Sequence, residues 1–207
     1  MHNRVTVEVY DQFRYGVALF LVGFAPASVL LWLVVHPLAT FWRRVGYRWG
    51  YAAGFAVAAL VVAASLRLRG WIAHTDLGAS VGAAVLGAVL LGIAVAMRRR
   101  WQRQLTAGTM FGLPELAPEK HPGRLLTEGI YARVRHPRYL QMVVAILGWA
   151  LLANHLAGYL VVLVVVAELS LIIPLEEREL ADRFGAEYET YRRRVPALLP
   201  RRGPARR

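Results

Sequence analysis

Five apolar runs limit what this chain of 207 residues can fold into more than any other feature. An apolar helix needs about 20 residues to cross the hydrocarbon core of a bilayer. With 57% hydrophobic residues and a mean hydropathy of +0.41, the chain is too apolar for a soluble domain. We predict an all-α, polytopic integral membrane protein with about five transmembrane helices, at Tyr15–Val35, Gly50–Leu66, Leu77–Met97, Tyr139–Ala153 and Leu156–Leu175.

The last two runs should form an antiparallel hairpin, because only Asn154 and His155 separate them. Its first arm is shorter than a usual span, so that arm begins within the headgroup layer or is shielded by other helices. The segment from Glu176 to Arg194 is strongly charged, yet apolar and aromatic side chains recur in it every three or four residues. This pattern predicts a C-terminal amphipathic cytosolic helix, interrupted near Gly185, whose stripe consists of Leu180, Phe184, Tyr188 and Tyr191.

The basic residues indicate the orientation. Of 25 Lys and Arg residues, 21 follow the first, third and fifth spans, and four lie on the other side. The positive-inside rule therefore places the N-terminus outside and the C-terminus in the cytosol, in a membrane such as the bacterial inner membrane. The net charge of +12 thus reflects topology and contacts with membrane lipids, and we expect no nucleic-acid partner. The absence of cysteine excludes disulfides and thiolate nucleophiles, and we predict no metal site.

The stretch from Glu128 to Tyr139 brings arginines, tyrosines and a histidine to the start of the first hairpin arm. A positive-inside anchor with interfacial tyrosines would explain Arg133, Arg138 and Tyr139. Such an anchor would not explain Arg135 and His136. It would also not explain the acid pair Glu176 and Glu177 at the far end of the hairpin. We therefore favour a site, roofed by the long polar connection from Met97 to Arg138.

In an antiparallel hairpin, the entry of one arm lies beside the exit of the other. Arg135 and His136 should therefore approach Glu176 and Glu177 on the cytosolic face. Acids bind an ammonium or sulfonium, histidine and arginine bind a carboxylate, and the rings of Tyr131 and Tyr139 offer a flat face to a base or a cation. Such a set suits a zwitterionic ligand, and spacing alone leaves the ligand open.

The C-terminal half, from about Leu125 to Pro200, resembles the isoprenylcysteine carboxyl methyltransferase family and is also similar to phospholipid N-methyltransferases. The matching positions are Gly129, Tyr131, Arg135, His136, Pro137, Tyr139, Asn154, Glu176, Glu177, Leu180, Phe184, Gly185, Tyr188, Tyr191, Val195 and Pro196. The resemblance implies an integral-membrane methyltransferase that uses S-adenosylmethionine and takes a lipophilic acceptor from the membrane. It divides the chain into three N-terminal helices in residues 1–97 and a cofactor-binding half in residues 98–207.

At matching positions, the resemblance implies cofactor contacts at Leu126, Gly129, Tyr131, Arg135, His136, Tyr139, Glu176 and Glu177. It also places Asn154 among the catalytic residues. Glu168 and Glu176 are candidate bases, because an amine or thiol acceptor must lose a proton. Glu168 lies deep inside the last span, where an acid is costly and usually faces a cavity, although a hydrogen bond that packs helices would also explain it.

The chain departs from the carboxyl methyltransferases before the acid pair. They carry an arginine there, thought to position the substrate carboxylate, whereas this chain has Ile172, Ile173, Pro174 and Leu175. We therefore expect an amine, thiol or lipid acceptor rather than a prenylcysteine carboxylate. The alternatives are an isoprenylcysteine-type carboxyl methyltransferase, a sterol-type reductase that uses NADPH, and a non-enzymatic membrane subunit.

Overall fold

The computed structural model describes residues 2–35, 37–72, 74–105, 113–117, 119–120 and 123–200. Within these ranges the chain is helical, without a strand beyond one isolated bridge between Asp76 and His155. The helices are α1 (His2–Val35), α2 (Ala39–Val45), α3 (Tyr47–Arg67), α4 (Arg69–Ile72), α5 (Val81–Gln102), α6 (Leu113–Leu116), a 3-10 helix (Gly129–Ala132), α7 (Pro137–Ala153), α8 (Leu156–Phe184) and α9 (Ala186–Arg194).

The predicted all-α membrane architecture is confirmed. Four helices, α1, α3, α5 and α8, are long and apolar enough to cross a bilayer, and α7 is a shorter apolar helix of 17 residues. Together they correspond to the five predicted spans. The short first arm of the hairpin is therefore a feature of the fold, and α7 leaves its polar N-terminus close to the membrane surface.

The predicted start of the third span was wrong. Residues Leu77 to Ser80 are not helical, because Gly78 has a φ of 84° and its N–H donates to the carboxylate of Asp76. Helix α5 begins at Val81, where the Ser80 hydroxyl accepts a hydrogen bond from the N–H of Ala83. Its other end extends beyond Met97 to Gln102, so the arginines expected in a loop lie on its last turns.

The predicted boundary at Glu176 was also wrong. Helix α8 continues through the acid pair to Phe184, because Leu, Glu, Arg and Ala after Pro174 all favour a helix. The break comes at Gly185, whose φ of 53° suits a residue without a Cβ atom, and α9 starts directly afterwards. The predicted interruption near Gly185 is therefore confirmed, but the part before it is the end of a membrane helix and the part after it is a separate short helix.

Helix α1 is central to the bundle and packs against α3, α7 and α8. The main core lies where these helices meet and contains Leu21, Val29, Tyr139, Ile146, Val165, Leu169 and Ile172. Helix α5 packs along α7 on the other side of the hairpin. The hairpin, which carries the predicted site, is therefore supported on two sides by N-terminal helices.

The contact between α5 and α7 depends on two glycines. A Cβ atom at Gly87 would lie 2.7 Å from the carbonyl oxygen of Gly148, and one at Gly148 would lie 3.0 Å from that of Gly87. These distances leave no room for a side chain, so the two backbones touch directly. Close approach through small residues is a common way for membrane helices to associate.

At the opposite end of the hairpin from Glu176, a buried arginine holds three elements together. Arg14 is 1% exposed, donates to the Ala153 carbonyl at 2.9 Å and forms ion pairs with Asp11 and Asp76. Asn154 ends α7 with a φ of 49°, and its side chain donates to the carbonyl of Gly78 and accepts from the hydroxyl of Tyr159. Both residues stabilise the turn of the hairpin.

We predict that Gly87→Ala destabilises the protein and that Gly92→Ala on the same helix does not. Alanine favours a helix over glycine by about 1 kcal/mol at either position. Nothing lies within 4 Å of a Cβ atom at Gly92, whereas at Gly87 the backbones must separate, and overpacking costs about 1–3 kcal/mol. Thermal unfolding in detergent measures both variants, and equal melting temperatures would contradict the packing.

Candidate active site

A cavity lies where the first turn of α7, the end of α8 and helix α9 meet. The space inside it is about 830 Å³, a value that includes the part open to solvent. Leu105 and residues 123–126 of the connection before the 3-10 helix are among the lining residues, while residues 106–112, 118 and 121–122 of the loop predicted to roof the site lie outside the described residues. The lining residues are Leu105, Gly123, Arg124, Leu125, Leu126, Tyr131, Arg135, His136, Pro137, Arg138, Tyr139, Glu176, Leu180, Arg183, Phe184, Tyr188 and Tyr191.

The N-terminus of α7 is fixed by the segment that follows α9. Pro137 is the first helical residue, where its missing N–H costs nothing. The N–H groups of Arg135 and His136 donate to the carbonyls of Pro196 and Ala197, both at 2.9 Å. The chain after Val195 therefore holds the two residues before α7 in place.

Glu177 pairs with the cations around it. Its Oε1 accepts from Nε of Arg135 at 3.0 Å and lies 3.1 Å from Nε2 of His136, and its Oε2 lies 3.4 Å from Nε of Arg192. Arg135 also donates to the carbonyls of Arg192 and Val195. A buried carboxylate is stable only when it is paired in this way. Glu177, predicted to contact the cofactor, does not line the cavity and instead joins α7, α8 and α9.

Glu176 and Tyr188 each present a buried oxygen without a hydrogen-bond partner in the described chain. Oε2 of Glu176 lies 3.6 Å from Nδ1 of His136, which is beyond hydrogen-bond distance. Tyr188 is completely buried, and both residues line the cavity. A buried polar atom without a partner costs about 1–3 kcal/mol. These two oxygens are therefore available to form hydrogen bonds with a ligand in the cavity.

Aromatic rings form much of the cavity wall. Tyr139 stacks on the ring of His136, with centroids 5.6 Å apart and an angle of 17° between the planes. The Tyr191 hydroxyl donates to the backbone carbonyl of Tyr131 at 2.7 Å. Burial, with the nearby charge of Glu176, raises the pKa of Tyr131 to about 12, and burial raises the pKa of Tyr188 to about 12. Both phenols are therefore neutral hydrogen-bond donors at physiological pH.

The structure brings most of the predicted site residues together. Six line the cavity: Leu126, Tyr131, Arg135, His136, Tyr139 and Glu176. Gly129 lies on the same 3-10 helix as Tyr131, but it lines a separate groove. Tyr188 was predicted as part of the amphipathic stripe and as a matching family position, but not as a site residue. The stripe residues Leu180, Phe184, Tyr188 and Tyr191 all line the cavity.

Asn154 is not part of the cavity. It follows the last residue of α7, whereas His136 precedes the first, so the 17-residue helix separates them by about 25 Å. Its side-chain hydrogen bonds to Gly78 and Tyr159 are those of a helix cap at the far end of the hairpin. Asn154, a position that matches the family pattern, thus lies at the hairpin turn. We therefore do not place it in the site.

Glu168 is 8% exposed and lies two helical turns before Glu176, at about 12 Å along α8. Its Oε2 is buried and has no hydrogen-bond partner among the described residues. The alternative role for Glu168, a hydrogen bond between packed helices, would give this oxygen a partner. Ile172, one turn away, is completely buried in the main core and does not line the cavity.

Comparison with known proteins agrees with this geometry. The phospholipid methyltransferase family model matches residues 81–187, from the start of α5 through the hairpin and the acid pair. The chain belongs to the phospholipid methyltransferase family. The matched segment is just over half of the chain and contains most of the cavity lining. No solved structure gives a significant match.

Three curated relatives carry the names of different methyltransferases. Protein-S-isoprenylcysteine O-methyltransferase of Schizosaccharomyces pombe is 43% identical over 77 residues, 37% of this chain and 33% of the relative. Methanethiol S-methyltransferase 1 of Bradyrhizobium diazoefficiens is 40% identical over 99 residues, 44% of this chain and 33% of the relative. Protein-S-isoprenylcysteine O-methyltransferase B of Arabidopsis thaliana is 30% identical over 146 residues, 70% of this chain and 67% of the relative. The match thus spans about a third of the first two relatives.

Proposed function

We propose that this protein is an integral-membrane methyltransferase that binds S-adenosylmethionine in the cavity and methylates a lipophilic acceptor from the membrane. The observation that carries the proposal is the pair of unsatisfied buried oxygens of Glu176 and Tyr188 in one cavity with the tyrosine rings. The family and the names of its relatives support methyl transfer as the reaction class.

The residues present suit S-adenosylmethionine, which combines a carboxylate, an ammonium, a sulfonium and an adenine ring. Glu176 would accept hydrogen bonds from the ammonium, the Tyr188 hydroxyl would donate to an acceptor atom, and the wall of tyrosines would hold the flat base. The bound cofactor supplies an electrophilic methyl group. The chain contributes positioning and exclusion of water, which together account for much of the catalysis in such a transfer.

Glu168 is the candidate base for the acceptor. Its Oε2 is buried without a hydrogen-bond partner among the described residues, two turns before Glu176 on α8, although Glu168 does not itself line the cavity. An amine or thiol must lose a proton to become a methyl acceptor, and a carboxylate at this depth would accept that proton. Because a carboxylate would repel an anionic acceptor, Glu168 favours an amine, a thiol or a neutral lipid.

Carboxyl methylation of a prenylcysteine is the second candidate. It is favoured by the names of the relatives from S. pombe and A. thaliana. The expected cation for the acceptor carboxylate is missing at Ile172, but Arg138 and Arg183 also line the cavity. The two candidates therefore differ in whether Glu168 or an arginine faces the acceptor.

The positive-inside distribution supports a cytosolic cavity, where a soluble cofactor is available. Cysteines introduced separately at Ala79, between α4 and α5, and at Glu187 on α9 report this orientation, since the chain has no other cysteine. Both positions are exposed. We expect an impermeant maleimide to label Ala79→Cys, but not Glu187→Cys, on intact cells. The reverse pattern would place the cavity outside.

We predict that Glu176→Gln and Tyr188→Phe each weaken S-adenosylmethionine binding roughly tenfold or more without unfolding the protein. Glu176→Gln removes the negative charge and Tyr188→Phe removes the hydroxyl, at two oxygens that have no hydrogen-bond partner in the described chain. A charge-assisted hydrogen bond is worth about 1.5–3 kcal/mol. His136→Ala should also weaken binding, because it removes the ring on which Tyr139 stacks. Titration calorimetry in detergent measures the affinity.

Glu187→Gln is the matched control, since it makes the same charge change at an exposed position on α9 outside the cavity lining. It should leave the affinity unchanged. Wild-type affinity in both cavity variants would remove the basis for the cofactor site.

We predict that a lipophilic amine or thiol is methylated in preference to a farnesylcysteine analogue when the two compete. In this assay Glu168→Gln should lower the rate about tenfold or more without changing the affinity for S-adenosylmethionine, because the substitution preserves shape and removes the base. Transfer of a radiolabelled methyl group, with products separated by chromatography, measures both rates. Efficient methylation of the farnesylcysteine analogue by wild-type protein and by Glu168→Gln would establish the second candidate instead. Ile172→Arg is a poor test, because it would place a charge in the core.

A further inference from the structure

A second concavity lies beside the cavity, on the other side of the 3-10 helix. Six residues line this arginine groove. They belong to the last turn of α5 and the two residues after it, and to the 3-10 helix and the residue after it: Arg100, Arg103, Gln104, Gly129, Ile130 and Arg133. Its three charged residues are all arginines, and no acidic side chain is among the six. Neither the proposed reaction nor the cofactor cavity uses this groove.

The side chains of these three arginines form no hydrogen bond or ion pair with another residue in the described ranges. Arg135 and Arg192 differ from them, because both pair with Glu177. Arg100 lies on the last turn of α5 and Arg103 directly follows the helix, three positions further along, where like charges repel each other. The positive-inside rule requires arginines on this face, but it does not require three of them to surround one groove. A bound anion would relieve their repulsion.

The depth of the groove identifies the anion. The apolar part of α5 ends at Met97, so Arg100 and Arg103 lie about 5 to 9 Å beyond it along the helix, at the level of the lipid headgroups. The forked guanidinium group matches the oxygens of a phosphate. We propose that the arginine groove binds the phosphate group of a membrane phospholipid, separately from the methyl acceptor.

The 3-10 helix would couple this lipid to the cofactor cavity. Gly129 and Ile130 line the groove, and Tyr131, the next residue, lines the cavity. The helix is held against α5 by a hydrogen bond of 3.3 Å from Nε2 of Gln104 to the carbonyl of Glu128. A lipid that fixes the 3-10 helix would therefore also fix Tyr131, and this step rests on the proposed cofactor site. Binding at one site then strengthens binding at the other by the same factor.

Native mass spectrometry of the full-length protein, with added short-chain phosphatidylglycerol as the probe, tests the site without any activity. The variant carries Arg100→Gln, Arg103→Gln and Arg133→Gln together. The control carries Arg44→Gln, Arg48→Gln and Arg99→Gln, the same loss of charge at exposed arginines outside the groove. We expect the groove variant to lose about a hundredfold in lipid affinity and the control to lose little. Thermal unfolding of both variants identifies one that does not fold, and single substitutions then replace the triple one.

Equal lipid affinity in the two variants would overturn the proposal. Inorganic phosphate and glycerol phosphate, titrated at constant ionic strength, separate the possible sources of the phosphate group. Either one binding as tightly as phosphatidylglycerol would overturn the assignment to a lipid. The coupling is measured as an increase in S-adenosylmethionine affinity on addition of phosphatidylglycerol, absent in the groove variant. If S-adenosylmethionine does not bind the wild-type protein, only the proposed coupling is refuted. The lipid site still stands, because lipid binding is measured without the cofactor.

Discussion

The cluster around Glu177 is the interaction on which the rest of the site depends. Its carboxylate pairs with Arg135 and His136 just before α7 and with Arg192 on α9, while its own backbone belongs to α8. Three elements distant in sequence thus meet at one buried anion. Removing one partner of such a cluster would leave an uncompensated charge, which typically costs about 3–5 kcal/mol. The cluster explains why a neighbouring acid, Glu176, can remain without a hydrogen bond: Arg135, His136 and Arg192 already pair with Glu177.

The membrane sets the position of this cluster. Helix α7 has only 17 residues, and Arg14 binds the backbone at its far end, so the polar residues before α7 lie near the headgroups. The direct backbone contact between Gly87 and Gly148 brings α5 close to α7. The end of α5 consequently reaches the 3-10 helix, which separates the cofactor cavity from the arginine groove. Helix packing inside the membrane and chemistry at its surface are therefore connected through the same elements.

Much of this arrangement was predictable, for physical reasons. The length and apolarity of the runs required membrane helices, and the two-residue turn at Asn154 and His155 required a hairpin that brings His136 near Glu176. The different roles of Glu176 and Glu177 were not predictable, because adjacent residues on a helix point in directions about 100° apart and only the packing decides which one meets Arg135. The end of α8 was misjudged because helix propensity continued beyond the change in polarity. The position of Asn154 at the hairpin turn, away from the cavity, was not predictable, because a position in a family pattern does not distinguish a cap from a site.

The most direct test of a cofactor site at Glu176 and Tyr188 is an experimental structure of the protein with S-adenosylhomocysteine, the demethylated form of the cofactor. The account predicts that the ligand occupies the cavity, with its ammonium within about 3 Å of the Glu176 carboxylate and the Tyr188 hydroxyl hydrogen-bonded to it. A ligand bound elsewhere, with the Glu176 carboxylate and the Tyr188 hydroxyl still without partners, would contradict it.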